Sequence, residues 1–190
     1  MKKIAITGNI ASGKSQVEKI LARNYPVFDT DKIAHEILDK IDEFYGYDVF
    51  TDGKIDRKKL GSLVFSDADL KKKLEQIVHP KVKSELYKIF EEHKNSEFVF
   101  VSVPLLFEAG FEKIFDKIIL VTTDEETRLK RLMERDGLTR EDAIKRIKSQ
   151  SEEKEKINLS DFVVKNDSDI VNLEMQLAKI ICHLKTARTA

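Results

Sequence analysis

The chain is poor in cysteine, proline and tryptophan. It contains one cysteine, Cys182, three prolines and no tryptophan in 190 residues. A single cysteine excludes an intrachain disulfide and a cysteine-based metal cluster, which is typical of a protein from a reducing compartment. The surrounding pattern is helical, so we interpret Cys182 as a buried thiol on a helix.

An excess of charge of either sign is also missing. Lys and Arg number 34, Asp and Glu number 34, and the formal net charge is zero. A neutral chain has no bulk electrostatic field that points to a polyanionic partner, so nucleic acid is not expected as a ligand. Charged residues make up 36% of the chain and hydrophobic residues 41%, which excludes overall disorder and is enough for one packed core.

Long apolar runs are absent as well. The N-terminal segment has Lys2 and Lys3 followed by a short apolar stretch that ends at Gly8. This stretch is too short for the core of a signal peptide or for a membrane span. We therefore expect a cytoplasmic protein that has no membrane partner. We also expect a monomer or a weak homo-oligomer, although the sequence itself does not determine the oligomeric state.

Short apolar runs alternate with helical patterns along the chain. Continuous apolar runs separated by helices predict an α/β fold with a parallel five-stranded sheet flanked by helices. Pro104 is expected to end the third run. Asn166, Asp167 and Ser168 are candidate caps for the last helix. The runs lie at residues 3–7, 27–29, 98–106, 118–122 and 162–164.

Two segments interrupt this alternation. Residues 32–95 are almost entirely helical in pattern and predict a helical insertion. Residues 124–156 predict a charged helical hairpin with a turn at Asp136-Gly137. Because both segments flank one sheet, we interpret them as mobile flaps. The rest of the chain forms the predicted core, at residues 1–31, 96–123 and 157–190.

One motif carries the clearest chemistry. Gly8-Asn9-Ile10-Ala11-Ser12-Gly13-Lys14-Ser15 matches the pattern G-x-x-x-x-G-K-[ST], between a predicted strand and a predicted helix. Glycines let backbone N–H groups surround phosphate oxygens, and the helix N-terminus adds partial positive charge. Lys14 would place its charge on the β and γ phosphates, and Ser15 would ligate Mg²⁺. The motif predicts a loop that binds a nucleoside triphosphate.

Arginine is concentrated in the predicted hairpin. Five of the eight arginines lie between Arg128 and Arg146. A planar guanidinium bonds two phosphate oxygens at once, so an arginine-rich hairpin can close over a bound nucleotide. The alternative, for at least half of them, is an exposed helix face with Glu–Arg pairs. Arg140 is the first candidate for phosphate contact and Arg135 the second, whereas Arg128 and Arg146 are interpreted as surface residues.

Carboxylates follow two of the predicted strands. Asp29 and Asp31 come after the second strand, at the edge where open α/β sheets bind ligands. Such a carboxylate can accept a proton from a substrate hydroxyl, and the alternative for either residue is capping of the helix that follows. Glu108, after the third strand, is expected either to hold the water shell of Mg²⁺ or to cap a turn. His79 is interpreted as structural.

In these motifs the sequence resembles the dephospho-CoA kinase family. Besides the phosphate-loop motif, the resemblance is carried by Leu74-Glu75-Gln76-Ile77-Val78-His79-Pro80 and Pro104-Leu105-Leu106-Phe107-Glu108, and it runs almost end to end. It implies ATP-dependent phosphorylation of the ribose 3′-hydroxyl of dephospho-CoA, the last step of coenzyme A synthesis, with Mg²⁺ as cofactor. It also implies a P-loop kinase core with a CoA-binding helical insertion at residues 32–95 and a helical lid at residues 124–156.

The resemblance also implies roles for particular residues. Asp31 matches the family's proposed base for the 3′-hydroxyl, and Arg140 lies in the lid arginine motif. The family usually has Gly where this chain has Ala11 and Thr where it has Gln16, and neither change removes a group that binds phosphate or metal. Ser151 stands where the family more often has a proline-containing turn. This departure affects the expected hinge of the lid and leaves the chemistry unchanged. The ATP loop would consist of Ala11, Ser12, Gly13, Lys14, Ser15 and Gln16.

Other functions remain open at this point. A P-loop kinase for another small nucleotide-like substrate shares the core, because only the insertion selects the acceptor. A GTPase-like switch protein is disfavoured because no Asn-Lys-x-Asp sequence occurs in the chain. A purely structural helical protein would leave the phosphate loop unexplained.

Overall fold

A computed structural model describes residues 1–39, 49–51, 54–150 and 153–186. The chain divides into two compact units, one formed by Met1–Phe28 with Asn95–Ala190 and the other by Asp29–Lys94. The elements, in chain order, are β1 (Lys2–Thr7), α1 (Lys14–Leu21), β2 (Val27–Asp29), α2 (Thr30–Leu38), β3 (Phe50–Thr51), β4 (Lys54–Ile55), α3 (Arg57–Ser66), α4 (Ala68–Glu92), β5 (Phe98–Ser102), β6 (Lys117–Thr122), α5 (Glu125–Asp136), α6 (Arg140–Lys148), α7 (Glu153–Asn158), β7 (Phe162–Lys165) and α8 (Ile170–Thr186).

The larger unit is built on a five-stranded sheet in the order β2-β5-β1-β6-β7. Strand β1 pairs in parallel with β5 and β6, and β6 pairs in parallel with β7. The predicted parallel sheet is therefore confirmed, with all five strands where the apolar runs lie. Strand β5, which corresponds to the third apolar run, ends at Ser102, slightly before Pro104.

The core lies on both faces of this sheet. All five residues of β5 are buried, as a central strand covered on both sides requires. Alternate residues such as Ile4 and Ile6 of β1 and Phe98 and Phe100 of β5 pack in one cluster with side chains of α1 and α8. Complete burial of each such side chain stabilises the fold by about 1.5–3 kcal/mol. The sheet and α1 together give the loop between them a rigid support.

The last helix corrects two predictions. Helix α8 is capped by Asp169, whose carboxylate accepts from the Asn172 N–H group at 2.8 Å, and not by residues 166–168. Leu173, Leu177, Ile180 and Leu184 form its buried stripe. Cys182 falls outside that stripe and is exposed, so the prediction of a buried thiol is wrong.

The predicted hairpin is formed by α5 and α6. Asp124 caps α5 by accepting from the Thr127 N–H group, and Thr139 caps α6 by accepting from the Asp142 N–H group. Gly137, at φ +66°, ends α5 in the left-handed conformation that glycine adopts most easily. Inside the hairpin is a small apolar cluster, which we call the hairpin cluster, formed by Leu129, Leu132 and Ala143.

The smaller unit is mainly helical, as its pattern predicts. Helix α4 has 25 residues, is capped by Asp67 and contains Pro80. The short antiparallel pair of β3 and β4 was not predicted, since two-residue strands leave no periodic signal. At the start of the unit, Asp29 accepts from the Asp31 N–H group at 2.8 Å and so caps α2. No helix in the described part of the chain combines the length and the apolar character that crossing a bilayer requires.

Candidate active site

The phosphate loop lies between β1 and α1 and is shaped by two glycines. A Cβ atom on Gly8 would lie 2.3 Å from the carbonyl oxygen of Val121. Gly13 adopts φ +89°, and a Cβ atom there would lie 2.0 Å from Asn166 Nδ2. No side chain fits at either position, because real Cβ atoms do not approach so closely. The loop is therefore held directly against β6 and the segment after β7.

Ala11 is the one residue other than glycine with positive φ in the described ranges, at +60°. A left-handed conformation costs an alanine about 1–2 kcal/mol. The side chains of Ile10 and Ala11 pack against the hairpin cluster. This packing offsets part of that cost, and it joins the phosphate loop to the hairpin.

Lys14 extends back along the loop. Its Nζ atom donates to the carbonyl oxygen of Gly8 at 2.6 Å and lies 3.5 Å from that of Asn9. Ser15 follows in the first turn of α1 and is exposed. The ammonium group, the hydroxyl group and the N–H groups of the helix start thus lie together, which is the donor set that phosphate oxygens need.

Asn166 holds the loop from the side of β7 and is only 2% exposed. Its Nδ2 atom donates to the Ser12 carbonyl oxygen and to Gln16 Oε1, both at 3.0 Å. The sequence predicted a helix cap here, and that interpretation is wrong. One signal in the sequence did point to a site role, because Asn166 follows β7 directly, at the carboxyl end of a parallel strand.

Arg131 is a second residue that sequence reasoning missed. Its Nη2 atom donates to the Asn166 carbonyl oxygen at 3.0 Å. Its Nη1 atom is buried, has no hydrogen-bond partner among the described residues, and lies 3.4 Å from where a Cβ atom on Gly13 would be. A buried guanidinium N–H group without an acceptor is costly unless a ligand supplies one. The structure therefore places this arginine, rather than Arg140, beside the loop.

The two arginines predicted to contact phosphate are paired with carboxylates. Arg140 is exposed and forms a forked ion pair with Glu126, at 3.0 and 3.2 Å. The hydrogen bond from Arg140 holds the pKa of Glu126 below its ordinary value. Arg135 pairs with Asp136, which also accepts from Arg146 at 2.5 Å. A phosphate contact for Arg140 or Arg135 stays a prediction.

Arg146 and Arg128 were both interpreted as surface residues. Arg146 has an exposed side chain, which confirms the interpretation for this residue. Arg128 is 9% exposed and its Nη1 atom lies 3.4 Å from Glu153 Oε1, so the interpretation is wrong for Arg128. Burial raises the pKa of Glu153 above its ordinary value, against the opposing charge of Arg128.

A buried ion pair joins α7 to the segment after β5. Lys156 Nζ donates to Glu108 Oε1 at 2.8 Å, and the Lys156 side chain is 3% exposed. A lysine buried to this extent needs an anionic partner. Glu108 is therefore bound to Lys156. Its predicted alternatives, a water shell or a turn cap, stay untested.

Two further predictions concern Asp31 and Ser151. Asp31 lies in the first turn of α2, in the unit Asp29–Lys94. Its role as a base stays a prediction. Ser151, the departure from the family at the lid hinge, lies outside the described residues.

These features together define a class of protein. The class is that of the P-loop kinases. Its parts are a parallel sheet in this order and a G-x-x-x-x-G-K-S loop between the first strand and the first helix. A lysine lies along that loop and an arginine lies beside it. The comparison with known proteins then gives the family. The dephospho-CoA kinase family model matches residues 2–172. The chain belongs to the dephospho-CoA kinase family.

Individual relatives agree with this assignment. The chain is 43% identical over 178 residues to the dephospho-CoA kinase of Fusobacterium nucleatum, with 90% of this chain and 92% of that protein covered. It is 39% identical over 189 residues to the enzyme of Oceanobacillus iheyensis, covering 94% and 95%. Among solved structures, the dephospho-CoA kinase from Campylobacter jejuni superposes with a TM-score of 0.73 at 32% identity, covering 98% of both chains.

Proposed function

We propose that this chain transfers the γ-phosphoryl group of ATP to the ribose 3′-hydroxyl of dephospho-CoA, giving CoA and ADP. The observation that carries the proposal is the phosphate loop, with Lys14 lying along it and Arg131 beside it. Membership of the dephospho-CoA kinase family supports the identity of the acceptor.

The loop residues would bind the triphosphate by charge and by backbone donors. Lys14 would exchange the carbonyl oxygens of Gly8 and Asn9 for oxygens of the β and γ phosphates. Backbone N–H groups of the loop at residues 11–16 would donate at the positive end of α1, except those of Ser12 and Gln16, which already donate to the carbonyl oxygens of Asn9 and Gly13. Apart from Lys14, which changes partners, the loop is already folded before the nucleotide arrives, so little reorganisation is needed when charge develops on the transferred group.

The residues present fit a magnesium ion that is held mainly by phosphate oxygens. The described residues contain no group of three or more His, Cys, Asp or Glu side chains that would hold a metal by themselves. Mg²⁺ typically takes one or two protein oxygens and completes its shell with phosphates and water. Ser15, exposed at the start of α1, would supply that protein oxygen. When bound, Mg²⁺ offsets negative charge on the phosphates.

Transfer requires a nucleophile and a stabilised leaving group. The 3′-hydroxyl oxygen forms the new bond to the γ phosphorus, and the bond from that phosphorus to the β–γ bridging oxygen breaks. We assign acceptance of the hydroxyl proton to the Asp31 carboxylate. Arg131 would supply its buried Nη1 donor to the γ-phosphoryl oxygens, with Arg140 as the alternative donor from the hairpin. The helical segment at residues 32–95 would bind the CoA part of the acceptor, and residues 124–156 would act as the lid.

A transfer assay tests the proposal directly. Purified protein with MgATP is offered dephospho-CoA, adenosine, AMP or a pantetheine-type compound, and the product masses are measured. The proposal expects a mass gain of one phosphoryl group on dephospho-CoA alone, matched by release of ADP. Transfer to a different acceptor would overturn the proposed acceptor and would favour a P-loop kinase for another small nucleotide-like substrate.

A further inference from the structure

The phosphate loop is also bonded to the far end of the hairpin. The Ile10 N–H group donates to Gln150 Oε1 at 2.7 Å, across 140 positions of the chain. Gln150 follows Ser149, the C-terminal cap of α6, and is half-buried. A side chain just after α6, within the segment at residues 124–156, thus binds a backbone group inside the phosphate loop.

The same part of the loop is packed against the hairpin. Ile10 and Ala11 pack against the hairpin cluster, as do Ile144 and Ile147 of α6. Asn166 holds the other part of the loop through Ser12 and Gln16. The loop is therefore fixed at two places. The hairpin holds its first half, and the segment after β7 holds its second half.

From these contacts we propose that Gln150 is a positioning residue for nucleotide binding, which acts through Ile10. By accepting from the Ile10 N–H group it holds the first half of the loop in the shape that turns the following N–H groups toward the phosphates. It also makes the position of the loop depend on the position of the hairpin. The inference deepens the proposed function and rests on it.

The chemical type of this side chain fits the role. A backbone N–H group near the loop needs an acceptor, and a neutral amide supplies one without adding negative charge where phosphate oxygens bind. A glutamate would accept the same hydrogen bond and would repel the triphosphate. The role has two requirements, which are to accept the hydrogen bond and to add no negative charge. Glutamine meets both, and glutamate meets only the first.

Two variants separate these requirements, and a third is a matched control. Gln150→Leu removes the acceptor, and Gln150→Glu keeps it but adds a charge. Gln176→Leu is the control, because Gln176 also accepts from a backbone N–H group, that of Lys165 at 2.9 Å, on strand β7. Binding of MgADP is measured by calorimetry, the KM values for ATP and dephospho-CoA by steady-state kinetics, and folding by thermal unfolding.

We expect Gln150→Leu to weaken MgADP binding and to raise the KM for ATP by about five- to tenfold, the factor that one net hydrogen bond supplies. The KM for dephospho-CoA should stay within about twofold, because the proposed site for that substrate is the segment at residues 32–95. Gln150→Glu should weaken MgADP binding at low salt and should recover toward the wild-type value at high salt, since screening reduces the repulsion. Gln176→Leu should leave all three constants unchanged.

Two results would overturn the inference. The first is wild-type MgADP affinity in a folded Gln150→Leu protein. The second is an equal loss of MgADP affinity in Gln150→Leu and Gln176→Leu, which would indicate a general loss of stability. MgADP binding does not involve the acceptor substrate. A wild-type protein that binds MgADP and does not phosphorylate dephospho-CoA would therefore count against the proposed function, and the calorimetric comparison would still decide the role of Gln150.

Discussion

Asn166 Nδ2 lies 3.0 Å from the carbonyl oxygen of Ser12, although the two residues are 154 positions apart. This hydrogen bond joins the segment after the last strand of the sheet to the loop after the first. Arg131 reaches the same place by donating to the Asn166 carbonyl oxygen. The phosphate loop is therefore held by residues that come together only when the sheet is complete.

The first prediction concerns the space around Gly13. Gly13→Ala should abolish measurable MgADP binding and lower the free energy of unfolding, because the new Cβ atom would meet Asn166 Nδ2 at 2.0 Å. Gly110→Ala is the matched control, since Gly110 also has positive φ, +64°, but has no atom within 4 Å of the new Cβ position. The control should show only the backbone cost of about 1–2 kcal/mol and should bind MgADP normally. Similar binding by both variants would contradict the prediction.

The second prediction ranks the proposed phosphate ligand and the proposed base. Phosphoryl transfer depends mainly on positioning and electrostatic stabilisation, so Lys14→Ala should lose more kcat than Asp31→Asn. We expect a loss of about 10²–10³-fold for Lys14→Ala, as for other groups that stabilise developing charge. Lys19→Ala, an exposed lysine on the same helix, should retain full activity. Wild-type kinetics for Lys14→Ala would disprove the mechanism.

The third prediction compares two arginines of the hairpin. Arg131→Gln should lower kcat by about 10²-fold, because its buried guanidinium lies beside the loop. Arg140→Gln should have a smaller effect if the ion pair with Glu126 persists during turnover. Steady-state kinetics give the loss of kcat in each variant and so show which arginine contributes more to catalysis. A larger loss for Arg140→Gln would restore the ranking that the sequence alone favours and would indicate that Arg140 leaves Glu126 during catalysis.

The fourth prediction concerns the ion pair of Lys156 and Glu108. Glu108→Gln should destabilise the fold by about 3 kcal/mol, because it leaves a lysine that is 3% exposed without its charged partner. Lys156→Met should cost less, since the remaining carboxylate is one-third exposed and water can solvate it. Lys117→Met is the control at an exposed pair, that with Asp161, and should cost less than about 1 kcal/mol. Urea unfolding measures the free energy of unfolding of all three variants. Equal losses for Glu108→Gln and Lys156→Met would contradict the argument.

The fifth prediction is a pH dependence. Burial raises the pKa of Glu153 in the folded protein above its ordinary value, so the folded state binds the proton more tightly than the unfolded state does. Stability from this group is therefore greatest below the ordinary pKa of glutamate and falls as pH rises through the raised pKa. Glu153→Gln should remove this part of the pH dependence. Urea unfolding of both proteins between about pH 4 and pH 7 checks the sign, and parallel curves would contradict it.

Much of the fold could be predicted because its signals are local. The five strands appear as continuous apolar runs, and the hairpin appears as helical spacing around Gly137 with Thr139 as a cap. The phosphate loop is also local, since all its residues follow one another. The two short strands β3 and β4 could not be predicted, because two residues carry no period.

Prediction was weaker wherever the direction of a side chain depends on the rotation of its helix about the helix axis. Arg128, Arg131 and Arg135 all lie on α5, and their spacing alone does not say which of them faces the loop. Burial of Leu129 and Leu132 in the hairpin cluster sets the rotation of α5, and this rotation turns Arg131 toward Asn166 and buries Arg128. The same reasoning explains Cys182, which a helical pattern placed inside and the buried stripe of α8 leaves outside.

The sequence by itself determined that this protein has a parallel α/β core, a phosphate loop of the G-x-x-x-x-G-K-S type and an arginine-rich helical hairpin. Each of these depends on neighbouring residues, whose spacing is visible in the chain. Only the tertiary structure decided that Asn166, Arg131 and Gln150 hold the loop. Hydrogen bonds between residues so far apart depend on the order of the strands and on how the helices pack against them, and neither is written in the spacing of any one segment.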